Sequence, residues 1–368
     1  MSKHYVDNFA DDLGPEKIIH IYEPKSAVKA IVVIDNLSLG TAIGGCRMAP
    51  DVTTREVFRL ARAMTLKNAI NGLPHGGAKS AILGDPNSPD KEMLIRAFAQ
   101  SIKELTDYIP GPDMGTDEKC MAYIYDEIGR AIGLPKIFGG IPLDELGMTG
   151  FGLSVAADVA CEAISLPLKN ARVIIQGFGN VGKAAAKFLL EKGSIIIGVS
   201  MYNGAFYNPD GLDIPALVEF LQTKHNAAEY SGGKAIPRDR LLELESDIFI
   251  PAARPDVFTE ENQGLLKTRL VLEGANIPIT HEAAGKMYDR GIMIIPDVIA
   301  NGGGVICAAA EYQGLSEAGA FEKVETTIMA NTQELLNRIK EEKIYPHEVA
   351  LRMGRERIYQ AMQFRAHM

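Results

Sequence analysis

Two lysines, an aspartate and a glycine-rich loop are the residues of this chain whose types and order could do chemistry. Lys79 directly follows two glycines and an alanine, Lys67 lies shortly before it, and Asp113 follows the rigid segment PGP at 110–112. Two cations suit a carboxylate ligand, and a carboxylate beside them can exchange protons. The loop GFGNVG at 177–182 has the spacing of a dinucleotide-binding turn. This order predicts a site that holds a carboxylate and moves protons beside a hydride carrier.

The glycine loop has the sequence context that dinucleotide binding requires. An apolar run at 171–176 predicts a strand before the loop, and 181–192 predicts a helix after it. The first glycine permits a tight turn, the second lets a pyrophosphate approach the backbone, and the third lets helix and strand pack closely. The alternative is a glycine turn in a sheet that binds nothing. The predicted cofactor contacts in the loop are Gly177, Phe178, Gly179, Asn180, Val181 and Gly182.

The segment after the next predicted strand leaves the form of the cofactor open. An acidic residue that binds the ribose 2′-hydroxyl normally lies about 20 residues after the loop. The chain has VSMYN at 199–203, with neither an acid nor a base and with Met201 near the expected position. The missing acid removes repulsion of a 2′-phosphate, which Ser200 and Asn203 could hydrogen-bond, and the missing base removes attraction. The predicted cofactor is therefore NAD or NADP.

The composition is that of a two-domain globular protein without a nucleic-acid or membrane partner. Of 368 residues, 46% are hydrophobic and 23% charged, and the net charge is −9, whereas nucleic-acid binding needs a positive field. The polar, acidic start does not resemble a signal peptide. The most apolar stretch, 291–310, contains three consecutive glycines and predicts a buried strand plus loop. Four scattered cysteines favour a reducing compartment, and no spacing typical of metal ligands occurs. We predict a cytoplasmic protein.

Helix and strand patterns predict an α/β fold with two domains. In the first half, a strand is predicted at 30–34 and helices at 54–71, 91–108 and 117–132, with Asp113 on a stiff loop that opens the last helix. In the second half, short apolar strands alternate with helices, which is typical of a doubly wound, Rossmann-type parallel sheet. Strands are predicted there at 171–176, 194–199, 247–251, 270–273 and 293–296, and helices at 181–192, 214–223, 321–342 and 347–363.

The domain boundaries follow from this change of pattern. We predict a substrate and oligomerisation domain at 1–147 with 335–368, and a dinucleotide-binding domain at 148–334. A hinge is predicted within 139–152, with a cleft between the domains.

Three motifs around the charged residues resemble the glutamate/leucine/phenylalanine/valine dehydrogenase family: MTLKNA at 64–69, LPHGGAK at 73–79 and GPDMGT at 111–116. The resemblance covers roughly residues 30–315, in order and with compatible spacing. It implies a homo-oligomeric amino acid dehydrogenase, which converts an L-amino acid reversibly to a 2-oxo acid and ammonia. Further matching segments are GGCRM at 44–48, TGFG at 149–152, EGAN at 273–276, PD at 296–297 and NGGGV at 301–305.

The resemblance assigns a role to each of the three charged residues. Lys67 matches the lysine that binds the α-carboxylate of the substrate. Lys79 matches the catalytic lysine, which acts through a water and a carbinolamine, and Asp113 matches the general acid/base. Two surface lysines and a helix N-cap are the alternative interpretation, which the motifs in register disfavour. Residues predicted to contact the cofactor near the nicotinamide or elsewhere outside the loop are Thr149, Asn276, Asn301, Ala252, Ala253 and Met201.

The resemblance also bears on the substrate's side chain. Glutamate-specific members carry a lysine where this chain has Ile43 and a serine where it has Ala308. An unpaired carboxylate buried against apolar groups is strongly unfavourable. We therefore predict an amino acid with an apolar side chain, of the leucine, valine or phenylalanine type. Further residues of the predicted pocket are Gly45, Gly111 and Val305.

Two alternatives stay open. The segment 140–150 looks more like the glutamate-type linker, so a glutamate dehydrogenase with atypical side-chain contacts is one alternative. A catalytically silent oligomeric relative that binds only the nucleotide is the other, and the intact Lys67, Lys79 and Asp113 disfavour it.

Overall fold

The computed structural model describes residues 9–223 and 230–365, and the chain divides into two compact units. The assignment of substrate binding to one domain and dinucleotide binding to the other, with a boundary after residue 147, stays a prediction. The first unit is the described chain up to Pro142 with Val305–Ala320 and the described residues from Met353 onward, and the second is Leu143–Gly304 with Phe321–Arg352.

A mixed five-stranded sheet forms the core of the first unit. In chain order its strands are β1 Lys17–Glu23, β2 Val28–Asn36, β3 Ala42–Met48, β4 Gly77–Ile82 and β5 Tyr108–Pro112. The spatial order is β1-β2-β4-β3-β5. β2 is antiparallel to both its neighbours, whereas β3 is parallel to β4 and β5. The sheet therefore places β4 and β5 on the two sides of β3.

Helices cover both faces of this sheet, because both faces of β2 are apolar. Val32 and Ile34 pack with the apolar sides of α2 (Lys91–Ser101) and α3 (Glu118–Ile128). Ile31 and Val33 alternate with them and pack against α1 (Thr54–Ile70). The predicted strand at 30–34 and helix at 54–71 are thus confirmed.

Two predictions for the first unit were wrong in detail. The helix predicted at 91–108 ends at Ser101, because Tyr108 is fully buried and begins β5, where it pairs with Ala42. Asp113 does not open a helix. Asp117 caps α3 by accepting from the Cys120 N–H, and Asp113 directly follows β5.

The second unit is built on a seven-stranded sheet of order β12-β11-β10-β6-β7-β8-β9. β12, β11, β10, β6 and β7 are mutually parallel, and β8 is antiparallel to β7 and β9. The strand order reverses between β6 and β10, as in doubly wound nucleotide-binding sheets. This confirms the predicted fold class. The strands are β6 Arg172–Gln176, β7 Ile195–Met201, β8 Gly204–Tyr207, β9 Lys234–Ile236, β10 Ile248–Pro251, β11 Leu270–Leu272 and β12 Met293–Ile295.

Among the remaining helices, two lie in a segment that was predicted to be a loop. The stretch 291–310 forms β12 and then two helices, so the three glycines lie at a helix start and not in a loop. A Cβ on Gly303 would fall 2.1 Å from the Met148 carbonyl oxygen, so this close packing needs a glycine. No helix of the described chain is long and apolar enough to cross a membrane. The helices are α4 Leu143–Leu146, α5 Met148–Ala163, α6 Asn180–Glu191, α7 Ile214–Thr223, α8 His281–Asp289, α9 Asp297–Ala300, α10 Gly303–Tyr312, α11 Glu317–Glu342 and α12 Pro346–Phe364.

Candidate active site and nucleotide loop

Lys79 and Asp113 face each other across β3. Lys79 lies in β4 and Asp113 directly follows β5, so the two residues come from opposite sides of β3. Lys79 Nζ donates to Asp113 Oδ1 at 2.6 Å. Gly45 lies between them on β3, where a Cβ would fall 2.9 Å from Lys79 Nζ and 2.8 Å from Asp113 Cβ. The bare backbone of Gly45 therefore makes room for the ion pair.

A second cation shares the Asp113 carboxylate. Arg47 Nε donates to Asp113 Oδ2 at 2.7 Å, and Arg47 Nη1 donates to Glu56 in the first turn of α1. Burial alone would raise the pKa of the Asp113 carboxyl, but Lys79 and Arg47 outweigh burial and hold that pKa below its usual value. Asp113 is therefore a carboxylate at neutral pH, with one oxygen on each cation.

Lys67 lies in the last turn of α1, which packs closely on β4. A Cβ on Gly77 would fall 2.1 Å from the backbone nitrogen of Thr65, so the helix and the strand are in direct backbone contact. The buried Thr65 hydroxyl also donates to Asp35 Oδ2 at 2.6 Å. These contacts fix α1 relative to β4, which carries Lys79, and to β2. The role of Lys67 as a carboxylate ligand stays a prediction.

Two predicted pocket residues belong to one small apolar cluster in the first unit. Ile43 and Ala308 are 4% and 8% exposed, and they pack with Ile109 and Ile132. Ile43 and Ile109 are direct neighbours in the β3–β5 pairing. The positions at which glutamate-specific family members carry polar groups thus form an apolar wall.

Besides Gly45, two further predicted pocket residues lie beside this wall or on the helix that carries Ala308. Gly111 pairs with Gly45 in the sheet, and a Cβ on Gly111 would fall 2.9 Å from Ile132 Cγ1. Val305 lies in α10, one turn before Ala308, and is half-buried.

The glycine loop joins β6 to α6 in the second unit. Gly177 has a φ of +103°, and a Cβ there would fall 2.6 Å from the Ala253 backbone nitrogen. Gly179 is the N-cap of α6, no side chain in the described chain caps this helix, and a Cβ on Gly179 would meet nothing within 4 Å. The first turn of α6 thus keeps uncapped amides beside open space, which suits an anionic pyrophosphate. The loop fits the dinucleotide predicted for it.

The remaining loop residues support this arrangement. A Cβ on Gly182 would fall 2.0 Å from the Gly177 carbonyl oxygen, so the helix packs tightly on the turn. Phe178 is buried, whereas Asn180 and Val181 begin α6 and are exposed and half-buried. Ala252, whose N–H donates to the Gln176 carbonyl at 2.7 Å, follows β10 at the same edge of the sheet.

Of the three residues predicted to contact the nicotinamide, Asn276 and Asn301 are in direct contact. Asn301 is 6% exposed, and its Nδ2 donates to Asn276 Oδ1 at 3.0 Å and to the Gly274 carbonyl at 3.2 Å. Thr149, at the start of α5, has its Oγ1 3.1 Å from the position of a Cβ on Gly304. Their roles in cofactor binding stay predictions.

The end of β7 gives two neighbouring residues different surroundings. Met201 is half-buried at the end of the strand. Ser200 is 1% exposed, and its Oγ accepts from the Gly177 N–H at 3.2 Å. Ser200 therefore supports the glycine loop, and its use as a ligand of a 2′-phosphate stays a prediction.

A cavity of about 560 Å³ adjoins the end of β7. It is lined by the turn at 202–204 and by Arg238 and Asp239, among others. β9 runs parallel to β7, because both are antiparallel to β8, so Arg238 emerges at the edge where β7 ends. Local sequence patterns do not reveal this cation, because Arg238 lies far from Met201 along the chain.

Two family models match the chain over most of its length. A model described as the Glu/Leu/Phe/Val dehydrogenase dimerisation domain matches residues 15–130, and the Glutamate/Leucine/Phenylalanine/Valine dehydrogenase model matches 139–366. The chain belongs to this family. The resemblance found from the motifs is confirmed, and the protein is an NAD(P)-dependent amino acid dehydrogenase that acts on CH–NH₂ donors.

Similar proteins of known name are glutamate dehydrogenases. The glutamate dehydrogenase of Aeropyrum pernix is 35% identical over 356 residues, covering 90% of this chain and 85% of that protein. The NADP-specific enzyme of Saccharolobus shibatae is 35% identical, with 90% and 83% covered. The catabolic NAD-specific enzyme of Bacillus subtilis is 33% identical, with 90% and 82% covered. The names of these relatives agree with NAD or NADP as cofactor.

Solved structures of family members have the same fold. The hetero-hexameric glutamate dehydrogenase of Thermus thermophilus in a Leu-bound form has a TM-score of 0.82 at 26% identity, covering 95% of this chain and 90% of that one. The Peptoniphilus asaccharolyticus glutamate dehydrogenase also has a TM-score of 0.82, at 27% identity, with 95% and 92% covered. The L-tryptophan dehydrogenase of Nostoc punctiforme, at 24% identity and a TM-score of 0.76 with 95% and 97% covered, supports the fold alone.

Proposed function

We propose that this dehydrogenase converts an L-amino acid reversibly to a 2-oxo acid and ammonia, with its first unit binding the substrate and its second the dinucleotide. The observation that carries the proposal is the direct contact of Lys79 with Asp113. The lysine side chain is only 7% exposed, and a buried lysine in contact with a carboxylate is suited to moving protons.

The charged residues of the first unit would have separate roles in the reaction. Lys67 holds the α-carboxylate of the substrate. NAD(P)⁺, when bound, accepts the hydride from the α-carbon. Lys79 and Asp113 then move the protons of the attacking water and of the departing ammonia, through a carbinolamine. In balance, an amino acid, water and NAD(P)⁺ give a 2-oxo acid, ammonium, NAD(P)H and a proton.

Glutamate is the first candidate for the amino acid. It is supported by relatives that are 35% identical over 90% of this chain and carry the name glutamate dehydrogenase. An amino acid with an apolar side chain is the second candidate. The specific observation that favours it is the buried apolar wall around Ile43 and Ala308, since a carboxylate against such a wall would lack a partner.

Steady-state kinetics with glutamate, leucine, valine and phenylalanine, each with NAD and with NADP, tests both candidates. The highest kcat/KM for glutamate would support the first. A preference of roughly 10²-fold or more for an apolar amino acid would support the second, because an unpaired buried carboxylate costs several kcal/mol. In the second case the double variant Ile43→Lys with Ala308→Ser should gain activity toward glutamate. Turnover of no amino acid, with the dinucleotide still bound, would contradict the proposed function.

We propose further that the cavity at the end of β7 accepts a ribose 2′-phosphate, so that NADP is used. Arg238 supplies a cation there, and Met201 supplies no repelling acid. Asp239 Oδ1 lies 3.3 Å from Arg238 Nε, but the Asp239 side chain is 84% exposed, so this pair is weak and can yield to a phosphate.

A matched pair of arginine variants tests this phosphate site. Arg238→Ala should raise the KM for NADP roughly tenfold, by the loss of one charge-assisted hydrogen bond, and leave that for NAD unchanged. Arg240→Ala removes the same charge from the same 3₁₀ segment, where Arg240 pairs with Glu243, and should change neither constant. Equal effects of both variants would mean that NADP binding responds to the overall positive charge of this segment and not to a direct contact with Arg238.

The first unit also supports an oligomer. Residues 15–130 match a model described as a dimerisation domain, and we propose that the protein is a homo-oligomer. Light scattering during gel filtration tests this, and a mass of one chain would contradict it.

A further inference from the structure

Four side chains of alternating charge form a connected chain in the first unit, and Asp113 lies between its two cations. Glu56 accepts from Arg47, Arg47 donates to Asp113 Oδ2, and Lys79 donates to Asp113 Oδ1. Each group comes from a different element: α1, β3, the end of β5, and β4. In such a chain, the hydrogen bonds to its neighbours restrict the orientation of each side chain.

Arg47 is already engaged by two carboxylates of the protein in this arrangement. Its side chain is 17% exposed, and its guanidinium faces one carboxylate through Nε and another through Nη1. A planar guanidinium holds its donors in a fixed fork, so the position of Glu56 sets the direction in which Nε points. The main chain of Glu56 is held at the helix start, where its N–H donates to the Thr53 side chain.

The backbone around Asp113 is also held. The Asp113 N–H donates to Thr116 Oγ1 at 3.0 Å, and the Thr116 hydroxyl donates to the Cys46 carbonyl at 2.8 Å. The main chain and Oδ2 are thus anchored independently of Lys79. If Lys79 leaves Oδ1 to act on water, Asp113 still keeps its orientation.

We propose, on the basis of the function proposed above, that Arg47 is a positioning residue that holds Asp113 by Oδ2, so that Oδ1 alone exchanges the proton. Glu56 in turn holds Arg47. A misplacement of a reacting group by about 1 Å can lower a rate by about 10²-fold, so this anchoring is of direct use in turnover.

The charged and titratable groups around Asp113 determine how the loss of Arg47 would change the pKa of Asp113. They are Arg47 and Lys79, with Cys46 in β3 and Tyr108 in β5 nearby. Burial raises the pKa of the Cys46 thiol to about 12 and that of the Tyr108 phenol well above its usual value, so both are neutral. Removing Arg47 therefore removes one of two cations, and the pKa of Asp113 should rise.

The test compares Arg47→Met, Arg47→Lys and Glu56→Gln with the unmodified protein. For Arg47→Met, kcat should fall roughly 10- to 100-fold, and the acidic limb of the kcat/KM profile should move to higher pH. Arg47→Lys should restore the position of that limb but not kcat, because a lysine keeps the charge and lacks the fork. Glu56→Gln should lower kcat only a few-fold. Arg96→Met, which breaks another ion-pair cluster of the first unit, is the control and should leave both quantities unchanged.

A second readout does not depend on turnover. The Asp113 carboxyl can be titrated by ¹³C NMR, with its signal assigned from the difference to Asp113→Asn. Its midpoint should rise in Arg47→Met, and an unmoved midpoint would overturn the inference even if activity is lost. A raised KM with unchanged kcat and pH profile would also overturn it, since Arg47 would then be a substrate ligand. An unmodified protein that turns over no amino acid would instead contradict the proposed function.

Discussion

The two units of this protein form their predicted functional sites in opposite ways. In the first unit, strands bring charged side chains together, and Lys79 and Arg47 meet on one aspartate. In the second unit, glycines keep side chains away from the turn at which the pyrophosphate is expected. Gly177 adopts a positive φ, and Gly179 leaves open space before α6.

This difference determines how each site can be damaged. The proton-moving site should fail when a side chain loses its charged or titratable atoms. The nucleotide loop should fail when a side chain gains atoms, even a single methyl group. Substitutions of the two kinds should therefore separate catalysis from cofactor binding.

The largest effect is expected from Asp113→Asn. The amide is nearly isosteric and keeps an oxygen for one of its cations, but it does not exchange a proton. Turnover should fall about 10²- to 10⁴-fold, whereas the Kd of the dinucleotide, measured by nicotinamide fluorescence, should change little, because the substitution leaves the glycine loop intact. A variant with wild-type rate and pH dependence would remove Asp113 from the mechanism.

Gly179→Ala should have the opposite signature. Its Cβ meets no protein atom within 4 Å, so Tm should not change, but the methyl group would occupy the approach of the pyrophosphate. We expect the dinucleotide Kd to rise roughly tenfold or more, by the loss of a close backbone contact to phosphate. Gly264→Ala, at a site equally free of neighbours, is the control. Unchanged affinity in Gly179→Ala would mean that the pyrophosphate lies elsewhere.

A smaller effect is expected for Lys67→Ala. A contact to the α-carboxylate exists already in the bound substrate, so its loss raises KM more than it lowers kcat. Roughly a tenfold rise in KM is expected for one charge-assisted contact at a half-buried site. An unchanged KM for every amino acid would speak against this assignment.

The smallest effect concerns stability in acid. The pKa of Asp113 is lower in the folded protein than in the unfolded chain, so its contribution is present above the unfolded value and is lost as the pH falls through the folded value. The urea midpoint of the unmodified protein should therefore fall more steeply on acidification than that of Asp113→Asn. Equal slopes would mean that the ion pairs of Asp113 do not stabilise the fold.

Features that depend on neighbours along the chain could be predicted from the sequence. The glycine loop, its flanking strand and helix, and the start of α1 at Thr54 all follow from local patterns. The end of α2 did not, because the burial of Tyr108 in β5 outweighs the helical pattern of the residues before it.

Features that depend on strand order could not be predicted in this way. Lys79 and Asp113 meet only because β4 and β5 flank β3, which no local pattern reveals, and the family resemblance supplied the pairing instead. No comparable guide existed for Arg238, which reaches the end of β7 through the antiparallel pairing of β8 and β9. Nor did the motif around Arg47 show that its guanidinium is occupied by Asp113 and Glu56.

In the proposed mechanism, the Lys79–Asp113 pair performs the proton transfers. The most direct test is the turnover of Lys79→Ala with its best amino acid, measured together with the dinucleotide Kd. Lys17→Ala is a matched control, because Lys17 forms another lysine–aspartate pair in the first unit, with Asp107. We expect kcat to fall by at least about 10²-fold in Lys79→Ala alone, with dinucleotide affinity unchanged in both variants. Activity of Lys79→Ala within a few-fold of the unmodified protein would contradict the account.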